Sequence, residues 1–101
     1  MEGKMRVLGL KNCDTTRKAV KALKEQGHEP LLVDVRAEGL SEAEIAALVE
    51  AFGDKAINRA SATWRGLSED EKARPAAGLL KDHPALMKRP VIEEGGRYRR
   101  P

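Results

Sequence analysis

The pattern of apolar and polar positions divides the first third of the chain into a strand, a helix and a second strand. The apolar run Met5–Leu10 predicts a buried strand. Within Thr15–Gln26 apolar residues recur at helical spacing, and Gly27 is placed as a helix stop. The run Pro30–Val35 predicts the second strand. This order implies a right-handed crossover between parallel strands.

The middle of the chain has the pattern of successive helices. Ser41–Glu44 is a capping box, in which a serine and a glutamate three residues later satisfy each other's backbone amides. Ser68–Glu71 predicts a second box, and Ala76–Lys81 predicts a further helix that stops at His83-Pro84. These segments form a predicted helical insert at about residues 40–84.

The C-terminal part has the pattern of an antiparallel hairpin. Pro90–Glu93 and Arg97–Arg99 are the predicted strands, and Glu94–Gly96 is the turn between them. The predicted fold class is therefore α/β, with a βαβ unit, a helical insert and a closing hairpin. A chain of 101 residues suits one domain, residues 1–101.

Composition narrows the expected partners. Only three residues are aromatic, so the core must come mainly from aliphatic side chains. The net charge of +3 is small, and the basic residues are spread along the chain except near the C-terminus. This charge alone does not indicate nucleic-acid binding and leaves anionic small molecules as expected partners. We expect a monomer without a membrane partner. A single cysteine and the lack of a leader pattern favour the reducing cytoplasm.

Cys13 is the only cysteine, and it lies between the first predicted strand and the first predicted helix. A thiol at such a turn faces amide N–H groups and the positive end of the helix dipole, which both stabilise a thiolate. Lys11, Arg17 and Lys18 add positive charge nearby. We therefore predict a Cys13 pKa below the free value of about 8.5. The alternative is a buried, inert thiol.

Polar neighbours of Cys13 are candidates for binding. Asn12 and Thr15 could donate hydrogen bonds to the sulfur or to a bound anion, and Thr16 could cap the helix. Capping alone would also explain Asp14, Thr15 and Thr16. No second cysteine follows Cys13, so an outside thiol must resolve any mixed disulfide. One cysteine and two separated histidines do not match a metal site, and none is predicted.

Three motifs in order resemble one family. Asn12–Ala19, Thr63–Leu67 and Met87–Val91 are similar to signatures of the arsenate reductase-like proteins (the ArsC/Spx/YffB group), and the second motif is similar to the YffB-like branch. The resemblance implies a thioredoxin-like fold with an inserted helical subdomain. Members of this family usually continue into a C-terminal helix after the final hairpin, and the sequence leaves open whether such a helix follows Pro101.

The resemblance further implies site residues. Cys13 is expected to be a catalytic nucleophile that works with glutathione as co-substrate, and Arg89 is expected to bind an oxyanion substrate and to precede a cis bond to Pro90. Further anion-binding arginines are implied mid-chain and in the hairpin. Arg59, or Asn58 one residue away, and Arg100 occupy those places. Arginine suits carboxylates as a bidentate partner, so Arg17 joins this set as a candidate for glutathione.

Four functions remain open at this point. We expect a glutathione-dependent thiol reductase acting on disulfides or a related small substrate. A true arsenate reductase is the first alternative, and it needs a complete arginine set for a tetrahedral dianion. The second is an Spx-like regulator that binds RNA polymerase, although Cys13 lacks the partner cysteine of the redox-switched regulators. The third is a binding scaffold without activity.

Overall fold

A computed structural model describes residues 5–101, and the predicted fold class is confirmed. The strands are β1 (Met5–Gly9), β2 (Leu31–Asp34), β3 (Val91–Glu94) and β4 (Arg97–Arg99). The helices are α1 (Asp14–Glu25), α2 (Val35–Glu38), α3 (Glu42–Phe52), α4 (Ala62–Arg65), α5 (Glu69–Lys72) and α6 (Ala76–Asp82), with 3-10 helices at Gly53–Ala56 and Pro84–Leu86. None of the helices in the described part of the chain has the length and apolarity needed to cross a membrane.

The sheet has the strand order β2-β1-β3-β4. β1 and β2 are parallel, as predicted for strands joined by a helical crossover, whereas β3 runs antiparallel to both β1 and β4. The hairpin turns at Gly95 and Gly96, whose φ angles are 61° and 81°. Two consecutive positive φ angles are typical of tight hairpin turns and favour glycine, so this turn follows directly from the sequence.

The two faces of the sheet carry separate apolar clusters. On one face α1 packs through Ala19 and Leu23 on Met5, Val7 and Ile92. The other face is covered by the chain between β2 and β3. Its larger cluster consists of Leu8, Val33, Val35, Ile45, Leu48, Ala56, Ile57, Leu79, Leu80, Leu86, Met87 and Val91. Aliphatic residues thus form nearly all of the core, as the composition indicates.

The second strand is shorter than predicted. Val35 begins α2 instead of ending β2, because the side chain of Asp34 accepts hydrogen bonds from the amides of Arg36 (2.9 Å) and Ala37 (3.1 Å). An aspartate that caps a helix in this way stops the strand at its own position.

The two predicted capping boxes differ. At Ser41 both bonds form: Glu44 N–H donates to Ser41 Oγ (3.1 Å), and Ser41 N–H donates to Glu44 Oε1 (2.8 Å). At Ser68 only the serine half forms, because the Glu71 carboxylate instead contacts Arg74 and His83, each at 2.8 Å. The prediction of a complete second box was wrong, although a helix does begin there. α6 ends before His83, as predicted.

Candidate active site

The turn between β1 and α1 places Cys13 at the carboxyl end of the first strand. Its amide donates to the Leu10 carbonyl at 2.9 Å, and its own carbonyl accepts the first helical bond, from Arg17 N–H, at 3.0 Å. Cys13 is the N-cap of the twelve-residue α1, with extended backbone angles (φ −92°, ψ 121°). The half-buried thiol therefore lies at the positive end of the helix dipole.

Thr16 is buried in the first turn of α1, beside this thiol. The residue is fully inaccessible, and its hydroxyl accepts a weak bond from Leu10 N–H at 3.5 Å. The expectation that Thr16 caps the helix was wrong, since Cys13 holds that position. Thr16 instead packs against the Cα of Gly9, at the end of β1.

The surroundings of Cys13 favour its thiolate. Partial burial raises the pKa of the thiol, but interactions with the side chain and amide of Thr16, the side chain of Arg89 and the amide of Thr15 outweigh burial and lower the pKa to about 7. The sulfur makes no standard capping hydrogen bond, so these groups act on it as a cluster of nearby N–H and O–H dipoles. About half of the thiol is then ionised near neutral pH.

The predicted direction of this pKa shift is confirmed, but its largest causes differ from those predicted. Lys11, Arg17 and Lys18 were expected to supply the positive charge. The largest favourable contributions come instead from backbone amides, a hydroxyl and the side chain of Arg89, which is distant from Cys13 in the sequence but not in the fold. Because an exposed ammonium or guanidinium is screened by water, flanking charges in the sequence overstate their effect on a neighbouring thiol.

Arg89 and Pro90 directly precede β3, and the side chain of Arg89 acts on the thiol. Their peptide bond is cis, as the family resemblance implied. Arg89 Nη1 donates to the Ala85 carbonyl at 2.8 Å, which holds the guanidinium in place. Its Nε is buried and has no hydrogen-bond partner among residues 5–101. A buried guanidinium N–H that lacks a partner and lies near a thiolate is suited to binding an anionic group of a substrate.

Arg59 is attached to the 3-10 helix at Gly53–Ala56. Arg59 Nη1 donates to the Asp54 carbonyl at 3.2 Å, and its guanidinium lies 5.1 Å from the ring centroid of Trp64. The side chain of the neighbouring Asn58 stabilises the local turn, because it accepts a hydrogen bond from the Ala60 amide at 3.0 Å. Of the two candidates for the mid-chain position, Arg59 is therefore the one with a cation on an exposed side chain.

Arg100 is attached to the same 3-10 helix. Arg100 Nη2 donates to the Lys55 carbonyl at 2.7 Å, and its guanidinium lies 4.7 Å from the ring centroid of Phe52. Nη1 lies 3.4 Å from the carbonyl of Lys88, the residue before Arg89. Of these three arginines, Arg89 is the one whose side chain is among the main groups that lower the pKa of Cys13, whereas Arg59 and Arg100 donate to backbone carbonyls.

The other candidates lie on the exposed start of α1. Arg17 Nη2 is 3.6 Å from Asp14 Oδ1, and both side chains are exposed. Thr15 acts on the thiol through its amide, while its side chain faces solvent. Asn12 is exposed beside Cys13. The sequence analysis did not anticipate that Thr16 packs against Gly9 and lowers the pKa of Cys13. The one available signal was that a glycine ends the first strand seven residues before this threonine.

In the described part of the chain, no group of three or more His, Cys, Asp or Glu side chains is arranged to hold a metal ion.

Comparisons with known proteins agree with this fold. The family model described as "ArsC family" matches residues 8–100. An uncharacterized protein of Haemophilus influenzae is 38% identical over 96 residues, covering 90% of this chain and 84% of the relative. The solved structure of a protein named YFFB is 33% identical, with a TM-score of 0.86 over 95% of this chain and 89% of that one.

Two further solved structures are similar. An arsenate reductase (ArsC) related protein from Brucella melitensis is 31% identical, with a TM-score of 0.74 over 95% of this chain and 84% of that one. An arsenate reductase from Vibrio cholerae has the same TM-score of 0.74 over 98% and 90% of the two chains, but its identity of 19% shows the fold alone. The chain belongs to the ArsC family and has its thioredoxin-like fold.

Proposed function

We propose that this protein is a glutathione-dependent thiol reductase in which Cys13 is the nucleophile. Membership of the ArsC family supports an arsenate reductase-like, thiol-based role. The observation that carries the proposal is the environment of Cys13, whose pKa is lowered to about 7 by groups on α1 and by Arg89. An attacking thiol is most effective when its pKa lies near the ambient pH, because it is then ionised without losing much nucleophilicity.

The reaction needs two exchange steps. The Cys13 thiolate attacks the glutathione sulfur of a mixed disulfide, so that a bond forms between Cys13 Sγ and glutathione and the substrate thiolate leaves and takes a proton from water. A second glutathione thiolate then attacks the glutathione sulfur on Cys13. Glutathione disulfide leaves, and the Cys13 thiolate is regenerated. The net change is one mixed disulfide reduced by one glutathione, with one glutathione disulfide formed.

The same pKa serves both steps. In the first step Cys13 is the attacking group, and in the second it is the leaving group. A thiol of lowered pKa leaves faster, so the groups around Sγ assist its release as well as its attack. Arg89 offers its unpartnered Nε–H to an anionic group of the bound thiol or disulfide.

Arsenate reduction is the second candidate, and the free Nε of Arg89 favours it as well, because an oxyanion beside Sγ would satisfy that donor. Arg59 and Arg100 are held by the carbonyls of Asp54 and Lys55. Both would have to release those carbonyls to complete a three-arginine site. A mixed disulfide places no such demand on the site, and we therefore rank thiol reduction first.

Turnover of a glutathione mixed disulfide, coupled to glutathione reductase, tests the proposal. Cys13→Ser should reduce turnover to the uncatalysed rate. Arg89→Gln should raise KM and slow alkylation of Cys13, while the matched exposed arginine variant Arg97→Gln should leave both unchanged. Full turnover of Cys13→Ser would refute the proposal. Faster turnover of arsenate than of the mixed disulfide would favour the second candidate.

A further inference from the structure

A groove of about 230 Å³ borders the active-site turn on the side of β2. It is lined by Leu10, Lys11, Asn12, Asp34, Arg36 and Ala37. Asn12 belongs to the wall of the groove and directly precedes the nucleophile, so the groove is continuous with the surface around Cys13. The two proposed exchange steps at Cys13 do not involve the side chains of this groove.

The walls of the groove are fixed to each other by Asp34. One carboxylate oxygen accepts from the amides of Arg36 and Ala37, and the other accepts from the amide of Lys11 at 3.2 Å. Hydrogen bonds from the Ala37 and Lys11 amides, with that of Arg36, lower the pKa of Asp34. Its negative charge is thus compensated by three backbone donors, and the turn carrying Lys11 is held against α2.

The cations of the groove are available to a ligand. Lys11 and Arg36 are exposed, and neither side chain forms an ion pair or a hydrogen bond with another residue in the range 5–101. Lys11 favours the charged form of Asp34 but is not paired with it within 4.0 Å. The groove therefore contains two cationic groups, an ammonium and a guanidinium, and one carboxylate. That carboxylate already accepts three hydrogen bonds from backbone amides.

We propose that this groove binds the glycyl carboxylate of glutathione when its sulfur is at Cys13. This inference rests on the proposed function, because it names where the co-substrate lies. The glycyl end of glutathione carries only a carboxylate, whereas the γ-glutamyl end also carries an ammonium group, which Lys11 and Arg36 would repel. The volume of about 230 Å³ is below the range typical for a whole ligand of this size and suits one end of it.

Binding of a glutathione analogue that cannot react separates this inference from the proposed function. S-methylglutathione is titrated into the 15N-labelled full chain, and the amide signals of Lys11, Arg36 and Ala37 are followed by NMR. We expect these signals to shift. The glycyl ethyl ester of the same analogue should bind roughly tenfold more weakly, because it lacks the charged carboxylate.

Charge removal supplies the second arm of the experiment. The double variant Lys11→Gln, Arg36→Gln should bind S-methylglutathione roughly tenfold more weakly and bind the ester with unchanged affinity. The matched variant Lys21→Gln, Arg97→Gln removes two exposed cations elsewhere and should bind both ligands as the natural chain does. Equal affinity of the natural chain for acid and ester, or no shift at these amides, would overturn the inference. Shifts without turnover would instead remove only the proposed function.

Discussion

The side chain of Thr16 lies directly against the Cα of Gly9, so close that a Cβ at position 9 would be 2.7 Å from Thr16 Cγ2. Contacts under 3.0 Å do not occur for real Cβ atoms without movement of the neighbour. The end of β1 and the first turn of α1 therefore meet at a position where only hydrogen fits. This contact sets where the Thr16 hydroxyl lies relative to Cys13.

Gly9→Ala should therefore affect both stability and reactivity. Thr16 is fully buried, so it cannot move aside freely, and overpacking at such a site typically costs about 1–3 kcal/mol. Displacement of its hydroxyl should also raise the pKa of Cys13. Urea unfolding and the pH dependence of alkylation measure the two effects.

Gly66→Ala is the matched control for this substitution. Gly66 has φ −82°, and a Cβ there would meet its nearest atom, the Ala62 carbonyl oxygen, at 3.6 Å. We expect no loss of stability and no change in the pKa of Cys13. Equal destabilisation by the two substitutions would contradict the steric role assigned to Gly9.

Two neighbouring threonines can be compared directly. Thr16 acts on Cys13 through its hydroxyl and its amide, whereas Thr15 acts through its amide alone. Thr16→Val keeps the shape and removes the hydroxyl, and it should raise the pKa of Cys13 by roughly 0.5 to 1, the equivalent of one neutral hydrogen bond. Thr15→Val should leave the pKa unchanged. If both variants titrate as the natural chain does, the Thr16 hydroxyl does not act on the sulfur.

Arg6 joins the sheet to α3 through two carboxylates. Arg6 Nε is 2.6 Å from Glu93 Oε1 on β3, and Nη1 is 2.9 Å from Glu44 Oε2 on α3. Glu93 is only 9% exposed, so Arg6→Met would leave a buried charge without its partner. We expect a loss of about 2–4 kcal/mol, less than for a fully buried pair because the Arg6 side chain is 28% exposed. Urea unfolding measures this loss.

Arg99→Met is the matched control for Arg6→Met. Its pair with Glu94 has a separation of 3.4 Å and side chains 48% and 42% exposed, so its removal should change stability by less than about 0.5 kcal/mol. A similar effect of both substitutions would contradict the assignment of Arg6 as the partner that offsets the burial of Glu93.

The contribution of Arg6 should depend on pH in a defined direction. Burial raises the pKa of Glu93, but the opposite effect of Arg6 and the Gly96 amide is larger. The pKa of Glu93 therefore lies below its usual range. A carboxylate with a lowered folded-state pKa stabilises the fold above its unfolded pKa of about 4.3, and this stability is lost as the pH falls through the folded-state pKa. The stability difference between the natural chain and Arg6→Met should shrink from about pH 6 to about pH 3. A difference that stays constant would count against this linkage.

The sequence predicts the sheet and α1 well because each depends on local periodicity and on glycines at Gly27, Gly95 and Gly96. It does not predict that Val35 is helical, because that depends on which amides the Asp34 side chain meets. The role of Thr16 was missed for a similar reason: a threonine in the first helical turn resembles a cap until its contact with Gly9 is seen.

The arginines show a second limit of prediction. Arg89 was assigned by resemblance as an oxyanion-binding residue, and its side chain helps to lower the pKa of Cys13, while the binding role stays a prediction. The bond between Arg100 and the Lys55 carbonyl joins positions 45 residues apart. Neither hydrophobic periodicity nor motif spacing contains information on such a contact, so the attachment of Arg59 and Arg100 to one 3-10 helix could not be anticipated.

The pH dependence of Cys13 alkylation by iodoacetamide tests the central claim most directly. Cys13 is the only cysteine, so the rate reports on one thiolate without correction. We expect a midpoint at about pH 7 in the natural chain. A midpoint at or above about 8.5, the value of a free thiol, would contradict it, because the amides of α1 and Arg89 would then not stabilise the sulfur anion.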